Sequence, residues 1–142
     1  MNPNLSRRRF LESSATLLGV ALVGCSEKTA APQSRVNSDG TVSLSGVGEV
    51  APGAAVAFTF PNGESGLVFR TLDGQSGAVS SKCTHAGCTV EWNATDEKIP
   101  LRCPCHNSNF ALDGRVLGGP AKTPLAHYSA TTQGEEFVLK RL

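Results

Sequence analysis

Two short segments in the second half of the chain combine cysteine and histidine in a repeated pattern. The first is Cys83-Thr84-His85 with a trailing Cys88, and the second is Cys103-Pro104-Cys105-His106 before Ser108. Each segment offers one thiolate and one imidazole, and each also holds one cysteine that such a pair does not need. Thiolates and imidazoles are the protein ligands of zinc and iron centres. The pattern therefore predicts a fold that brings two separate loops to one shared metal site.

Length and charge limit the other possibilities. The chain has 142 residues, which is enough for one domain and a leader but not for two domains. Thirteen Lys and Arg stand against twelve Asp and Glu, for a formal net charge of +1. No nucleic-acid partner is expected, because such proteins show a strongly basic surface.

Residues 1–24 have the features of an export signal. Ser6-Arg7-Arg8-Arg9-Phe10-Leu11 resembles the twin-arginine signal, with Arg7 and Arg8 as the arginine pair, and an uncharged segment from Ser13 to Gly24 follows it. That segment is too short for a spanning helix, which needs about 20 residues. We therefore predict export by the twin-arginine route to the bacterial cell envelope.

The end of this leader suggests a lipid anchor. Leu22-Val23-Gly24-Cys25 resembles the lipobox of bacterial lipoproteins, and cleavage before Cys25 would leave its thiol for lipid attachment. Such a modification accounts for the odd number of cysteines, five in all. An ordinary cleaved signal and a retained membrane anchor are the alternatives. Residues 25–40 are then the attachment cysteine and a polar, flexible tether, which holds a membrane-anchored or otherwise periplasmic domain.

From Thr41 onward the sequence predicts short β-strands joined by turns and no helix. Apolar residues alternate with polar ones, and pairs such as Asp73-Gly74 and Asp113-Gly114 mark turns. The segments are Val42–Leu44, Val56–Phe60, Leu67–Phe69, Ala78–Val79, Val90–Trp92, Ile99–Leu101, Phe110–Leu112, Arg115–Leu117 and Glu135–Lys140. Their spacing favours an all-β fold, an antiparallel sandwich or small barrel, for residues 41–142. Trp92 is expected in the core and His127 at a surface or packing position.

The order of the Cys and His residues along the chain distinguishes a structural zinc site from an iron–sulfur cluster. Structural zinc sites bring their ligands as Cys-Cys and His-His pairs, whereas each segment here mixes the two types. This arrangement resembles the Rieske [2Fe–2S] family, through Cys83-Thr84-His85-Ala86-Gly87-Cys88 and Cys103-Pro104-Cys105-His106-Asn107-Ser108. The resemblance runs over residues 41–142 and is densest at about 82–124. A zinc site stays open as the alternative.

The resemblance implies a role for each residue of the two loops. Cys83 and Cys103 would bind one iron of a single [2Fe–2S] cluster, His85 and His106 the other, and Cys88 and Cys105 would form a disulfide. The disulfide is also physically reasonable, because both cysteines lie near ligands of one site and the bond persists outside the cytoplasm. With two imidazoles and two thiolates, the oxidised cluster is formally neutral. By this resemblance, the reduction potential of the cluster is expected in the Rieske range of about −150 to +300 mV, and its reduction can couple to proton uptake.

Four further residues are expected to surround the cluster. In high-potential relatives the residue at Ser108 donates a hydrogen bond to a sulfide, and a Tyr at the position of Phe110 donates to a ligand sulfur. Phe110 lacks that hydroxyl, which predicts a lower potential. Ala86 stands where cytochrome bc-type subunits carry Leu, which argues against direct quinol oxidation. Pro120, in Gly118-Gly119-Pro120-Ala121, would belong to a third covering loop.

The expected function is therefore one-electron, proton-coupled transfer on the outer side of the cytoplasmic membrane. No nucleophile or acid–base pair is evident, so we expect a carrier or a subunit of a respiratory-type redox complex. Its partners would be a cytochrome or the large subunit of an oxidoreductase, and quinol if the chain oxidises it. The alternatives are the Rieske subunit of a quinol:cytochrome c reductase, the small subunit of a periplasmic oxidase such as arsenite oxidase, and a non-redox zinc module.

Overall fold

The computed structural model describes residues 31–142, which form eleven β-strands and contain no helix. The twin-arginine and lipobox motifs, including Arg7, Arg8 and Cys25, lie outside these described residues. Within residues 31–142 there is no helix long and apolar enough to cross a membrane. The strands are β1 (Gln33–Val36), β2 (Val42–Ser45), β3 (Ala55–Thr59), β4 (Ser65–Arg70), β5 (Ser76–Ser80), β6 (Glu91–Trp92), β7 (Leu101–Cys103), β8 (Ser108–Phe110), β9 (Val116–Gly118), β10 (His127–Gln133) and β11 (Glu136–Arg141).

Seven strands form one antiparallel sheet in the order β1-β2-β11-β10-β5-β4-β3. The sheet curls until its two edges approach each other, and the Ser34 hydroxyl of β1 donates a hydrogen bond to the Thr59 carbonyl of β3. The predicted all-β antiparallel fold is confirmed, in the form of a nearly closed barrel.

The central strands β4 and β5 are buried on both faces, because one hydrophobic core lies on each side of them. Along β4, Val68 points into the core enclosed by the large sheet, while Leu67 and Phe69 face the opposite way. Ala78 and Val79 of β5 divide in the same manner. Alternating side chains of one strand thus serve both cores, as the period of two in a β-strand requires.

The second core joins the large sheet to a smaller unit, residues 81–126, inserted between β5 and β10. Its four strands are antiparallel in the order β6-β7-β8-β9. Trp92 fixes it in place, because the indole stacks on Phe69 with ring centroids 5.2 Å apart and its N–H donates to the Gly53 carbonyl at 2.9 Å. Trp92 is therefore a packing residue, as expected.

The predicted flexible tether extends too far along the chain. The predicted tether reaches residue 40, yet Gln33–Val36 form β1 and pair with β2. Arg35 also forms an ion pair with Glu136 at 2.9 Å. The strand escaped the sequence analysis because it is an edge strand, largely exposed, and so has no apolar alternation to reveal it.

Candidate metal centre

Three loops of the small unit meet around the two Cys/His segments. The first loop, residues 82–90, connects β5 to β6, and the second loop, residues 103–108, connects β7 to β8. The third loop, residues 117–125, leads from β9 toward β10. The short antiparallel strands fix the second loop as a tight hairpin, because Cys103 and Ser108 are opposite each other in the β7–β8 register.

The first and second loops share the same backbone turn. The Gly87 N–H donates to the Cys83 carbonyl at 2.8 Å, and the Asn107 N–H donates to the Cys103 carbonyl at 3.0 Å. Both donors have left-handed backbones, with φ of 77° at Gly87 and 57° at Asn107. Glycine adopts this conformation freely, and asparagine tolerates it better than most residues. The repeat in the sequence is thus also a repeat in the backbone.

The structure places the candidate sulfur and nitrogen ligands at different depths. Cys83 and Cys103 are 3% and 0% exposed and are not disulfide-bonded. His85 and His106 are exposed, with ring centroids 4.7 Å apart and ring planes at 83°. Two buried thiols therefore lie beneath a pair of adjacent, solvent-facing imidazoles.

The two thiols differ in acidity. Burial raises the pKa of Cys103, and its hydrogen bond with Cys83 raises it further. Burial also opposes ionisation of Cys83, but hydrogen bonds from the His85 backbone and the Cys103 thiol outweigh it, so the pKa of Cys83 is lowered. The first thiolate is therefore stabilised before any cation is present, and the thiolate is the form that binds metals.

A disulfide between Cys88 and Cys105 ties the first loop to the second, as the sequence analysis predicts, with Cα atoms 6.5 Å apart. The Cys103 sulfur lies within 4.8 Å of both sulfurs of this bond. This group of three sulfurs is therefore a disulfide beside a ligand candidate, and it does not form a separate metal site.

The third loop closes over the other two. The Ala121 N–H donates to the Ser108 hydroxyl at 3.1 Å, and the Thr84 hydroxyl donates to the Thr123 carbonyl at 2.6 Å. Gly119 approaches most closely, because a Cβ built there would lie 2.5 Å from the Asn107 carbonyl oxygen. One loop thus braces both Cys/His loops.

The remaining residues named from the sequence surround this site at different depths. Phe110 is fully buried in the same core as Cys83 and Cys103. Pro120 is half-buried in the third loop, and Ala86 is exposed beside His85. His127 lies on β10, opposite Val79, and lines an open groove of about 860 Å³ that also passes His85.

The donor set fits an iron–sulfur cluster. Two buried thiols that hydrogen-bond to each other and two adjacent imidazoles supply the two sulfur and two nitrogen donors of a Rieske centre, and solvent exposure of the sulfurs is one of the factors that set its potential. Ser108 is 0% exposed, and its oxygen already accepts the Ala121 N–H. Its proton is therefore free to be donated to sulfur, and hydrogen bonding from Ser108 contributes to the lowered pKa of Cys83.

A model of the Rieske [2Fe-2S] domain family matches residues 41–129. The chain belongs to this family. Its cofactor is accordingly one [2Fe–2S] cluster, and the zinc module is not favoured. The chain is 32% identical to a cytochrome b6-f complex iron-sulfur subunit of Synechococcus sp. (strain JA-3-3Ab), over 94% of this chain and 86% of the relative. A subunit with the same description from Chlorobaculum thiosulfatiphilum is 29% identical, over 78% of this chain and 59% of the relative.

Solved structures agree with the fold. The plasma membrane Rieske protein PetC3 of Synechocystis PCC 6803 is 34% identical, with a TM-score of 0.52 over 61% of this chain and 85% of that one. The ferredoxin of carbazole 1,9a-dioxygenase from Nocardioides aromaticivorans IC177 is 23% identical, with a TM-score of 0.53 over 78% of this chain and 97% of that one, and shares the fold.

Three features of the site were missed from sequence. The sequence assigns no role to Asn107 within the second motif, although its left-handed backbone closes the second loop. The contacts of Thr84 with Thr123 and of Gly119 with Asn107 join residues far apart in the chain. Only Gly119 left a signal, because two successive glycines in a turn often mark a close approach of backbones.

Proposed function

We propose that the protein transfers single electrons, coupled to protons, through one [2Fe–2S] cluster, as a carrier or as a subunit of a respiratory-type redox complex. Cys83 and Cys103 would hold one iron, and His85 and His106 the other. The observation that carries this proposal is the pair of adjacent exposed imidazoles above two buried thiols in a Rieske domain. When bound, the cluster supplies a one-electron redox couple.

The positions of the four residues suit that role. Burial keeps water from the two thiols, while the two imidazoles are exposed where a partner can approach them. Each imidazole that binds iron through one nitrogen keeps an N–H on the other. Because both rings face solvent, those protons can exchange with water or with a partner as the charge on the site changes.

The identity of the partner is part of the proposal. Relatives described as cytochrome b6-f complex subunits support membership of a membrane redox complex. The chain spans 59% of the Chlorobaculum subunit and 33% of a Nostoc one, so their partners do not carry over directly. Ala86 places only a methyl group beside His85, where cytochrome bc-type subunits carry Leu. The His85 side of the site is then less shielded than with Leu, which argues against direct quinol oxidation.

We also infer an envelope location outside the cytoplasm. The twin-arginine motif at Arg7 and Arg8 and the lipobox at Cys25 support this placement, as does the plasma membrane location named for the Synechocystis relative. Seven residues separate Cys25 from Gln33, the first residue of β1, so the two can lie at most about 28 Å apart. Arg7→Lys with Arg8→Lys should leave precursor in the cytoplasm, and Cys25→Ser should release the domain from membranes. Unchanged fractionation of both variants would contradict the assignment.

The EPR spectrum of the dithionite-reduced protein tests the function. We expect the low average g value of a cluster with two nitrogen ligands. His85→Ala and His106→Ala should abolish this signal, and His127→Ala, the matched control at the third histidine, should retain it. A protein with zinc and no acid-labile sulfide would overturn the proposal.

A further inference from the structure

The described chain has an uneven charge distribution around the imidazole pair. Residues 31–142 contain nine basic and ten acidic residues. The three loops contain no acidic residue. The first and third each hold one basic residue, Lys82 and Lys122, and Arg102 lies on β7 immediately before the second loop. The rest of the described chain is left with six basic and ten acidic residues. Positive charge thus gathers at the end that exposes His85 and His106.

These three cations, which we call the basic rim, are exposed, and none forms an ion pair within 4.0 Å in the described part of the chain. The Lys82 side chain lies along the first loop, with Cε 3.7 Å from the position of a Cβ on Gly87. The Arg102 guanidinium donates to the Asn107 side-chain oxygen at 2.8 Å, next to His106. Lys122 lies between Ala121 and Thr123, both of which hydrogen-bond to the other loops. Lys82 therefore lines one groove with His85, Arg102 contacts the residue after His106, and Lys122 lies in the loop that closes over both Cys/His loops.

The two nearest carboxylates form no ion pair with the basic rim within residues 31–142. Glu91 is opposite Arg102 in the β6–β7 register, but the guanidinium turns to Asn107 instead. Glu64 lines the same groove as Lys82, and its carboxylate accepts the Ser80 hydroxyl. A cationic rim around an exposed redox edge attracts anionic surfaces and steers them toward that edge, an effect that raises association rates by about 10- to 1000-fold.

We propose that the basic rim is a docking surface for a redox protein that presents carboxylates around its own cofactor. This inference rests on the proposed electron-transfer function and adds the charge of the partner's surface. Electrostatic complementarity favours an acidic protein over a basic one of the same fold, and salt weakens the preference, because the Debye length is about 10 Å at 0.1 M.

The test uses two probes that differ in charge alone. Native mitochondrial cytochrome c is basic, and succinylation converts its lysines to carboxylates without changing the haem. Binding of each probe to the full chain carrying its cluster is measured by calorimetry with both proteins oxidised, so that no electron moves. We expect tighter binding of the succinylated probe at low ionic strength, by tenfold or more, and loss of this preference in 0.5 M salt. Reduction rates with the reduced protein should follow the same order.

Charge-reversal variants locate the surface. Lys82→Glu and Lys122→Glu should each weaken binding of the succinylated probe at least threefold at low ionic strength. Arg35→Glu is the matched control: it makes the same charge change on β1, paired with Glu136 at the end of β11 away from Arg141, and should leave binding nearly unchanged. Cluster absorbance confirms that each variant is intact. Equal binding of both probes, tighter binding of the native one, or an equal effect of Arg35→Glu would overturn the docking surface. Absence of a Rieske EPR signal would instead overturn the proposed function.

Discussion

Gly119→Ala should loosen the third loop from the second. The added Cβ would lie 2.5 Å from the Asn107 carbonyl oxygen and 2.6 Å from the Ser108 Cα, both of them backbone atoms that cannot rotate away. Gly119 also has φ of +86°, a conformation that costs an L-residue about 1–2 kcal/mol. Relieving the overlap adds about 1–3 kcal/mol, the usual cost of overpacking. We expect a total destabilisation of about 2–5 kcal/mol.

Two other glycines separate these contributions. Gly118 has nothing within 4 Å of a built Cβ and no left-handed backbone, so Gly118→Ala should have little effect. Gly134 has φ of +62° and open space around it, so Gly134→Ala reports the backbone cost alone. The order of destabilisation should therefore be Gly119→Ala, then Gly134→Ala, then Gly118→Ala.

Thermal unfolding of the cluster-loaded protein, followed by visible absorbance, gives the comparison. A change of 1 kcal/mol shifts Tm by about 4–8 °C in a domain of this size, so Gly119→Ala should lower Tm by at least about 8 °C. It should also speed loss of the cluster, because the Ala121 N–H would no longer hold the Ser108 hydroxyl in place. If Gly119→Ala unfolds at the same temperature as Gly134→Ala, the close backbone contact does not stabilise the site.

Three further predictions concern the core and the disulfide. Phe110→Tyr should raise the reduction potential by adding a hydrogen bond to a candidate ligand sulfur, and a potentiometric titration without a rise would refute this reason for the predicted lower potential. Cys88→Ser with Cys105→Ser should cost about 3 kcal/mol, as expected for opening a loop with a sequence separation of 17, and should speed cluster loss; unchanged absorbance decay would contradict it. Tyr128, the single tyrosine, has its pKa raised by burial. Above about pH 10 the unfolded chain releases the phenol proton first, so stability present below that pH falls as pH rises, and Tyr128→Phe should flatten this decline in alkaline unfolding curves.

Much of the fold could be predicted because alternation and turn pairs are local signals. The final strand was predicted at Glu135–Lys140 and lies at Glu136–Arg141, one residue away. The exposed edge strand β1 was missed, since its pairing depends on partners that only the folded sheet brings near. At the site, the disulfide partners were predicted by the family pattern and are joined in the structure. The contacts of the third loop could not be predicted, because they are long-range and involve ordinary residue types.

The insertion of the small unit between β5 and β10 has a consequence for the order of assembly. β10 and β11 follow that unit in the chain, yet they occupy the middle of the large sheet, between β5 and β2. The barrel therefore cannot close during synthesis until the whole ligand-bearing segment has been made. A chain interrupted after β9 would lack the centre of its sheet and not an edge, so β1–β2 and β3–β5 could meet only through the contact between β1 and β3. Every chain with a complete barrel thus already contains both Cys/His loops.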